Sequence, residues 1–481
     1  MTLDSDVCYR ALRARDARFD GRFFVAVSST RIYCRPVCTV KPPKRENCRF
    51  FPSAAAAEAS GYRPCLRCRP ELAPGNASVD ATTRLAQAAA SMLEDRALDD
   101  EGLDAVAARL GITDRHLRRA FGAEFGVSPV EFAQTQRLLL AKRLLTDTAL
   151  PVTEVAFASG FGSVRRFNAL FRERYRLAPG RLRGLRQKAA GSDALEFELA
   201  FRPPFDWPAV SAFLGARAIP GVEAVEGARY RRTVRIAADG KAHAGWIAVS
   251  ASPAKPTLRV TVSASLAKAL PPVLSRVKAL MDLACHPADV ALALGDLAKR
   301  PGLRVPGAFD GFETAVRAIL GQQVSVAGAS TLAGRLAAEL GDPVSTPYES
   351  LTTLFPAAAT VAEVPPAHIA KLGMPLARAR TLAALARAVA DGKVSLVPNA
   401  DVDATLAALR ALPGIGEWTA QYVAMRALSW PDAFPHTDYG VMKALKLTDP
   451  KRVLAVAEAW RPWRAYAVMH LWRSLAPGDR K

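Results

Sequence analysis

The chain has 481 residues, 50% hydrophobic and 23% charged, with 65 Lys and Arg against 45 Asp and Glu and a formal charge of +20. This composition excludes a disordered tail protein, the lack of a Gly triplet excludes collagen-like sequence, and no run of about 18 apolar residues offers a membrane span. The length predicts three or four domains, and the excess of positive charge predicts a polyanionic partner, nucleic acid before any other.

Charge and cysteine are both concentrated at one end. Residues 1–190 carry 32 Lys and Arg and 20 Asp and Glu, so the shorter part is the more basic. Six of the seven cysteines lie at positions 8, 34, 38, 48, 65 and 68, and only Cys285 lies beyond. Such crowding, without a basic and apolar leader at Met1–Arg10, predicts metal ligands or reactive thiols in a cytoplasmic protein. The stretches Pro70–Ser78 and Gln187–Asp193 are rich in Pro, Gly and small residues and read as linkers. Between them apolar residues recur every three or four positions, a helical pattern. Alternating runs at 196–201 and 258–262 read as strands, and from about Ala288 the pattern is helical again.

The first segment holds Cys34-x3-Cys38, then 26 residues, then Cys65-x2-Cys68. Two close pairs bring four thiolates to tetrahedral corners, which suits Zn²⁺ and by itself fits a structural site as well as a reactive one. The local sequence, Tyr33-Cys34-Arg35-Pro36-Val37-Cys38, then Arg45-Glu46-Asn47, then Tyr62-Arg63-Pro64-Cys65-Leu66-Arg67-Cys68-Arg69-Pro70, resembles the N-terminal zinc domain of the bacterial adaptive-response regulator Ada. The resemblance implies that Cys34 is both zinc ligand and irreversible acceptor of a methyl group from a DNA methylphosphotriester. Losing one thiolate charge should lower repulsion from DNA phosphates, and the resemblance implies that this is the switch that turns the protein into a tighter DNA binder. Arg35, Lys41, Lys44 and Arg45 are expected to grip the backbone. Cys8 and Cys48 fall outside the motif and read as ordinary thiols.

In the second segment, residues 103–129 and 153–179 repeat at an offset of 50: Val106 matches Ala156, Phe121 matches Phe171, Phe125 matches Tyr175 and Pro129 matches Pro179. Each unit reads as helix, Gly-containing turn and second helix, with Thr113 or Asp114 and then Ser163 as caps. The arrangement resembles the double helix-turn-helix domain of AraC-type activators. It implies that Arg115, Arg118 and Arg119, then Arg165, Arg166 and Asn168, face DNA in the major groove.

The last part centres on Leu412-Pro413-Gly414-Ile415-Gly416-Glu417-Trp418-Thr419-Ala420. Gly414 and Gly416 between two helices let backbone N–H groups approach a phosphate. Asp438 follows Gly416 by 22 residues. With 306–313, 318–326 and 460–472, these motifs are similar to AlkA-type 3-methyladenine DNA glycosylases. The resemblance implies a monofunctional glycosylase in which Asp438 is catalytic and Trp418, Tyr422 and Trp472 form an aromatic pocket for a flipped, cationic base. Asp438 also suits a helix N-cap, and the two roles are compatible. Trp418 stands where lyase-active relatives carry a Schiff-base lysine, so hydrolysis without strand cleavage is expected. Gln323 stands at the position of an apolar wedge, and any metal held by hairpin carbonyls is not readable from side chains. Cys285-His286 lacks the Pro-Cys-His-Arg context of a second Ada methyltransferase, so reversal of O6-methylguanine is not expected.

The expected fold class is multidomain α+β: a small zinc domain at 1–76, an all-α double helix-turn-helix domain at 80–188, an α+β (TBP-like) domain at 194–285 and an all-α helix-hairpin-helix glycosylase domain at 286–481. The expected partners are double-stranded DNA, at promoters and alkylated sites, and RNA polymerase during activation. A nucleoid-associated monomer that does not engage membranes is expected, with Zn²⁺ as cofactor. The competing reading is a transcription regulator whose glycosylase-like half only binds DNA.

Overall fold

The computed structural model describes residues 4–75, 81–94, 102–183, 194–238, 240–398 and 400–475. The linker at 187–193 lies outside the described residues, as does the end of the first linker beyond Gly75.

The N-terminal region opens with the helix Ser5–Ala14, whose Asp4 carboxylate accepts the N–H groups of Asp6 and Val7 and so satisfies the first turn. Four short strands follow: β1 (Phe24–Val27), β2 (Ile32–Cys34), β3 (Cys48–Phe51) and β4 (Arg63–Pro64). They form one sheet in the order β3-β1-β2-β4, in which only the β2–β4 pairing is parallel. That pairing aligns Tyr33 with Pro64 and brings the second cysteine pair beside the first.

The sequence repeat is a structural repeat. The helices Gly102–Arg109 and Asp114–Phe125 form the first unit, and Val152–Ala158 and Val164–Tyr175 the second. Thr113 caps one second helix through the His116 N–H, and Ser163 caps the other through the Arg166 N–H. The matched positions are the buried ones: Val106 and Ala156, Phe121 and Phe171, Phe125 and Tyr175. Aromatic rings fill each unit, with Phe121, Phe125 and Phe132 at 4.5–5.2 Å in the first and Phe167, Phe171 and Tyr175 at 4.7–5.4 Å in the second. Rings recur at the fixed offset at 121/171 and 125/175, whereas Phe132 answers to the buried Leu182 and Phe167 to the buried Leu117. The helix Pro129–Asp147 joins the units, and a reciprocal Ser128–Glu131 capping box fixes its start.

The next five strands are β5 (Ala194–Ala200), β6 (Glu223–Glu226), β7 (Arg229–Ala238), β8 (Lys241–Ala251) and β9 (Thr257–Ser263). They form an antiparallel sheet in the order β5-β9-β8-β7-β6. The helix Trp207–Gly215 packs on β6 and β7. The remainder is helical, with Glu417–Arg426, Tyr439–Leu445 and Arg464–Ser474 carrying the candidate glycosylase residues.

The modules share hydrophobic cores. One core joins Leu138, Leu144, Phe167 and Phe171 to Phe197, Val249 and Val262 of the five-stranded sheet. Another joins Ile219, Val222 and Cys285 to the C-terminal helices. Polar contacts also cross between the halves. Arg143 stands 4.9 Å over Phe197, Arg202 donates to the Gly75 carbonyl at 2.7 Å, and Arg22 donates to His286 Nδ1 at 3.0 Å. Burial and three neighbouring arginines push the His286 imidazole down to about 2, so it is the neutral acceptor of this bond. Among the described residues, Cys285 and His286 therefore serve packing and docking, and burial raises the Cys285 thiol to about 12.

Candidate functional site

In the N-terminal region the ligand atoms of Cys34, Cys38, Cys65 and Cys68 all lie within 4.8 Å of one another. This is a donor set of four sulfurs in one cluster, the chemistry a tetrahedral Zn²⁺ requires. Backbone N–H groups of Arg35 and Arg67 donate to Cys68 and Cys65 Sγ at 3.4 Å each, which favours the thiolate form. Cys34 is 6% exposed, and Cys68 is half-buried. Cys8 and Cys48 are apart from the cluster, and burial raises both thiols, Cys8 to about 11.

One expectation is corrected here. Arg35 does not face outward to grip a phosphate. It is 7% exposed, paired with buried Asp20, and donates to the Cys68 carbonyl at 3.2 Å. A buried aspartate captures the arginine because leaving either charge unpaired in the interior is costly. Lys41 and Lys44 are exposed, whereas Arg45 lies over the Tyr9 and Phe50 rings.

On the helix-turn-helix units, Arg115, Arg118 and Arg119 are exposed on the helix Asp114–Phe125, as are Arg165 and Arg166 on Val164–Tyr175. Arg118 is tied to Asp114 at 2.7 Å, and Asn168 is half-buried one turn in.

The second site lies among the C-terminal helices. Gly414 has φ +81°, and a Cβ there would stand 2.2 Å from Thr381 Oγ1, so this turn admits glycine alone. A Cβ at Gly416 meets nothing within 4 Å, which leaves the start of the helix Glu417–Arg426 open to an approaching group. Asp438 caps the helix Tyr439–Leu445 through the Val441 N–H at 2.9 Å. It also accepts the indole N–H of Trp418 on Oδ2 and that of Trp472 on Oδ1, each at 2.8 Å. Three donors aimed at one carboxylate fix its position.

The aromatic rings form walls beside Asp438. Trp418 stacks on Tyr422 at 5.5 Å and 23°, as expected four residues apart on one helix face, and Tyr422 lies 6.3 Å from Trp472. Phe213, from the helix Trp207–Gly215, stacks on Trp472 at 6.4 Å and 15°. Beneath these rings lie two guanidinium groups. Arg217 stands 3.7 Å and Arg426 4.8 Å from the Phe213 centroid. Arg426 also donates to Tyr422 Oη at 2.8 Å.

Sequence reasoning missed Phe213, Arg217 and Arg426. The i, i+4 spacing of Tyr422 and Arg426 was the one available signal, whereas Phe213 and Arg217 arrive from more than 200 residues away.

Gln323 is exposed, with φ +56°. Its loop is pinned by Gln322, whose amide donates to the Gly414 carbonyl and Thr419 Oγ1 at 2.9 Å each, and by Arg378, which donates to the Gln322 carbonyl at 2.7 Å. A non-glycine residue held in left-handed backbone on an exposed loop is a local strain that these bonds sustain.

Four family descriptions match successive parts of the chain: the metal binding domain of Ada at 7–71, a helix-turn-helix domain at 106–184, the AlkA N-terminal domain at 196–310 and the HhH-GPD superfamily of base excision DNA repair proteins at 316–458. The "Probable bifunctional transcriptional activator/DNA repair enzyme AlkA" of Mycobacterium tuberculosis is 41% identical over 488 aligned residues, covering 98% of this chain and 97% of that one. DNA-3-methyladenine glycosylase 2 of Escherichia coli is 38% identical over 277 residues, 57% of this chain and 96% of its own length. The bifunctional transcriptional activator/DNA repair enzyme Ada of Escherichia coli is 35% identical over 147 residues, 31% of this chain and 39% of its own length. The chain therefore belongs to the same family as the Mycobacterium tuberculosis protein, in which an Ada-type zinc and helix-turn-helix regulator continues into an AlkA-type helix-hairpin-helix domain.

Proposed function

We propose that the protein senses DNA alkylation and excises alkylated bases with two separate sites. The observation that carries the excision reading is the triply hydrogen-bonded Asp438 carboxylate walled by Trp418, Tyr422 and Trp472. Electron-rich ring faces attract a cationic alkylated purine, and the carboxylate stabilises positive charge developing on the sugar. The C1′–N bond breaks with its electron pair leaving on the base. Water then joins C1′, oriented by Asp438, which takes its proton. Gly414 and Gly416 hold the strand's phosphates, and Gln323 enters the gap left by the extruded base.

At the sensor, Cys34 Sγ attacks the methyl carbon of a phosphotriester. The methyl C–O bond breaks, its electron pair returns to the phosphate, and a thioether remains. When bound, Zn²⁺ keeps the four sulfurs deprotonated at neutral pH. The lowered charge then favours promoter DNA under Arg115, Arg119, Arg165 and Arg166. In this reading the methylated protein meets RNA polymerase at nucleoid promoters, as a monomer. Burial alone would single out Cys68 as the acceptor, so the assignment of Cys34 rests on its place in the motif.

One sample tests both halves. After incubation with methylphosphotriester DNA, peptide mass spectrometry should place one methyl on Cys34, and a methyl on Cys68 or on no cysteine would defeat the sensor reading. On alkylated DNA, Asp438→Asn should release base at least about 100-fold more slowly than wild type. Equal release would favour a half that only binds DNA.

A further inference from the structure

One edge of the five-stranded sheet is closed by the other half of the chain. β5 and β6 are the edge strands. The β6 side is closed from within, because Gly221, just before β6, bridges to Leu351. Among the described residues β5 pairs with β9 alone, and an uncovered edge presents unpaired backbone groups. The helix Pro129–Asp147 covers it. Arg143 donates to the Glu198 carbonyl and stands 4.9 Å over the Phe197 ring. The next side chain back, Lys142, lies about 100° round the helix. It is 1% exposed and binds both Glu71 oxygens, at 2.6 and 2.7 Å. Asp147, near the helix end, takes Arg69 at 2.6 Å. A single helix thus grips the four-cysteine region on one side and the sheet edge on the other.

The seam continues in both directions. The helix Val152–Ala158 packs on residues 264–269, and Ala81–Glu94 packs on Leu270–Leu280, where Lys278 meets Glu94 at 3.5 Å. Arg202, buried, donates to the carbonyls of Gly75 at 2.7 Å and Ala284 at 3.0 Å, so it is bonded to both halves. Arg22 reaches His286 and Asp289. An apolar centre running from Leu138 and Leu144 to Phe197 and Leu266, ringed by polar ties, is the anatomy of a specific protein interface. Meanwhile Arg115, Arg119, Arg165 and Arg166 of one half, and Gln323 and Gly416 of the other, stay exposed.

We infer that residues 4–183 and 194–475 are docking partners through this seam, so that the regulator and the excision half act as one body with their DNA faces held at a fixed separation. The docking stands on the contacts themselves, and only its use in repair rests on the excision reading. The seam takes surfaces that neither set of exposed DNA-facing residues occupies, so docking and DNA binding coexist.

The test replaces 187–193 in the full chain with a protease site and cuts the folded, metal-loaded protein there. Sedimentation velocity at about 1 µM should show a single species of the uncut mass, which requires a Kd below about 0.1 µM. Arg143→Met should weaken the association at least about 10-fold, and Arg22→Ala about 3-fold. Adding Asp289→Ala to Arg22→Ala should change little further, because both remove one pair. In the uncut chain, small-angle scattering should give a radius of gyration near the roughly 23 Å of one compact body of this length. Two separated species, or an uncut radius of about 30 Å or more as two tethered bodies give, would overturn the inference. So would association that none of the three substitutions weakens, which would place it on another surface. Adding a duplex with an abasic site should leave the cut protein as one body, and separation on DNA would overturn the claim that the seam is clear of the DNA faces. No readout depends on base release or methyl transfer, so failure here and failure of the excision reading are told apart.

Discussion

Glu58 offers a test of how the four-cysteine region is seated on the helix-turn-helix units. It lies on the helix Ala54–Ala59 and is 3% exposed. Its carboxylate accepts the hydroxyl of Tyr33 at 2.9 Å, of Tyr175 at 3.4 Å and of Thr135 at 3.3 Å. Those residues belong to the strand carrying Cys34, the second helix of the second unit and the joining helix. Arg174 donates only to the Glu58 backbone carbonyl, at 3.3 Å. Desolvation outweighs these hydrogen bonds and raises the carboxyl from 4.5 to about 7.

Below pH 4.5 the group is protonated whether the chain is folded or not. Between pH 4.5 and 7 the unfolded chain releases the proton while the folded one keeps it, so stability falls as pH rises through this window. At about 1.4 kcal/mol per pH unit the loss above pH 7 amounts to roughly 3 kcal/mol. Glu58→Gln keeps the shape and most of the hydrogen bonds and removes the charge. It should match wild type near pH 4.5 and exceed it by up to about 3 kcal/mol at pH 8. All seven tryptophans lie at or beyond position 207, so the relevant urea transition is the one seen by circular dichroism and not by tryptophan fluorescence. A difference between variant and wild type that stays constant from pH 5 to 8 would refute the reasoning, as would a less stable variant at pH 8.

Further outcomes follow from the same geometry. Removing metal with a chelator, or making Cys38→Ser, should unfold the N-terminal sheet and leave the tryptophan-reported transition in place, measured by circular dichroism beside fluorescence. Gly414→Ala should cost about 1–3 kcal/mol, because a methyl collides with Thr381 Oγ1 at φ +81°. The same variant should weaken binding to an abasic duplex, read by calorimetry and fluorescence anisotropy. Arg165→Ala, at an exposed position, should lower the salt slope of methylated-protein binding to promoter DNA by about one or relax its sequence preference, with folding unchanged.

Much of this molecule is legible in its sequence where chemistry depends on near neighbours. The paired cysteines state a four-sulfur site because two tight turns each supply two ligands. The 50-residue repeat states two matching helical cores because buried rings recur at fixed helical positions. Gly414 states its turn because only glycine fits that φ. The hydrogen bonds that make Asp438 a fixed carboxylate are different. They join Trp418, Trp472 and the Val441 N–H across three helices, and no spacing reports where an indole N–H points. Arg35 reads as a phosphate grip until a buried Asp20 claims it, and the pair forms only because the fold desolvates both. Phe213 and Arg217 complete the pocket from a helix and turn in the preceding α+β region, through a core that crosses the expected 285/286 boundary. The sequence by itself determined the module order, the thiolate cluster and the hairpin, all set by local backbone geometry. Tertiary structure alone decided which donors and acceptors meet, because burial and partnership are properties of surfaces brought together from distant parts of the chain.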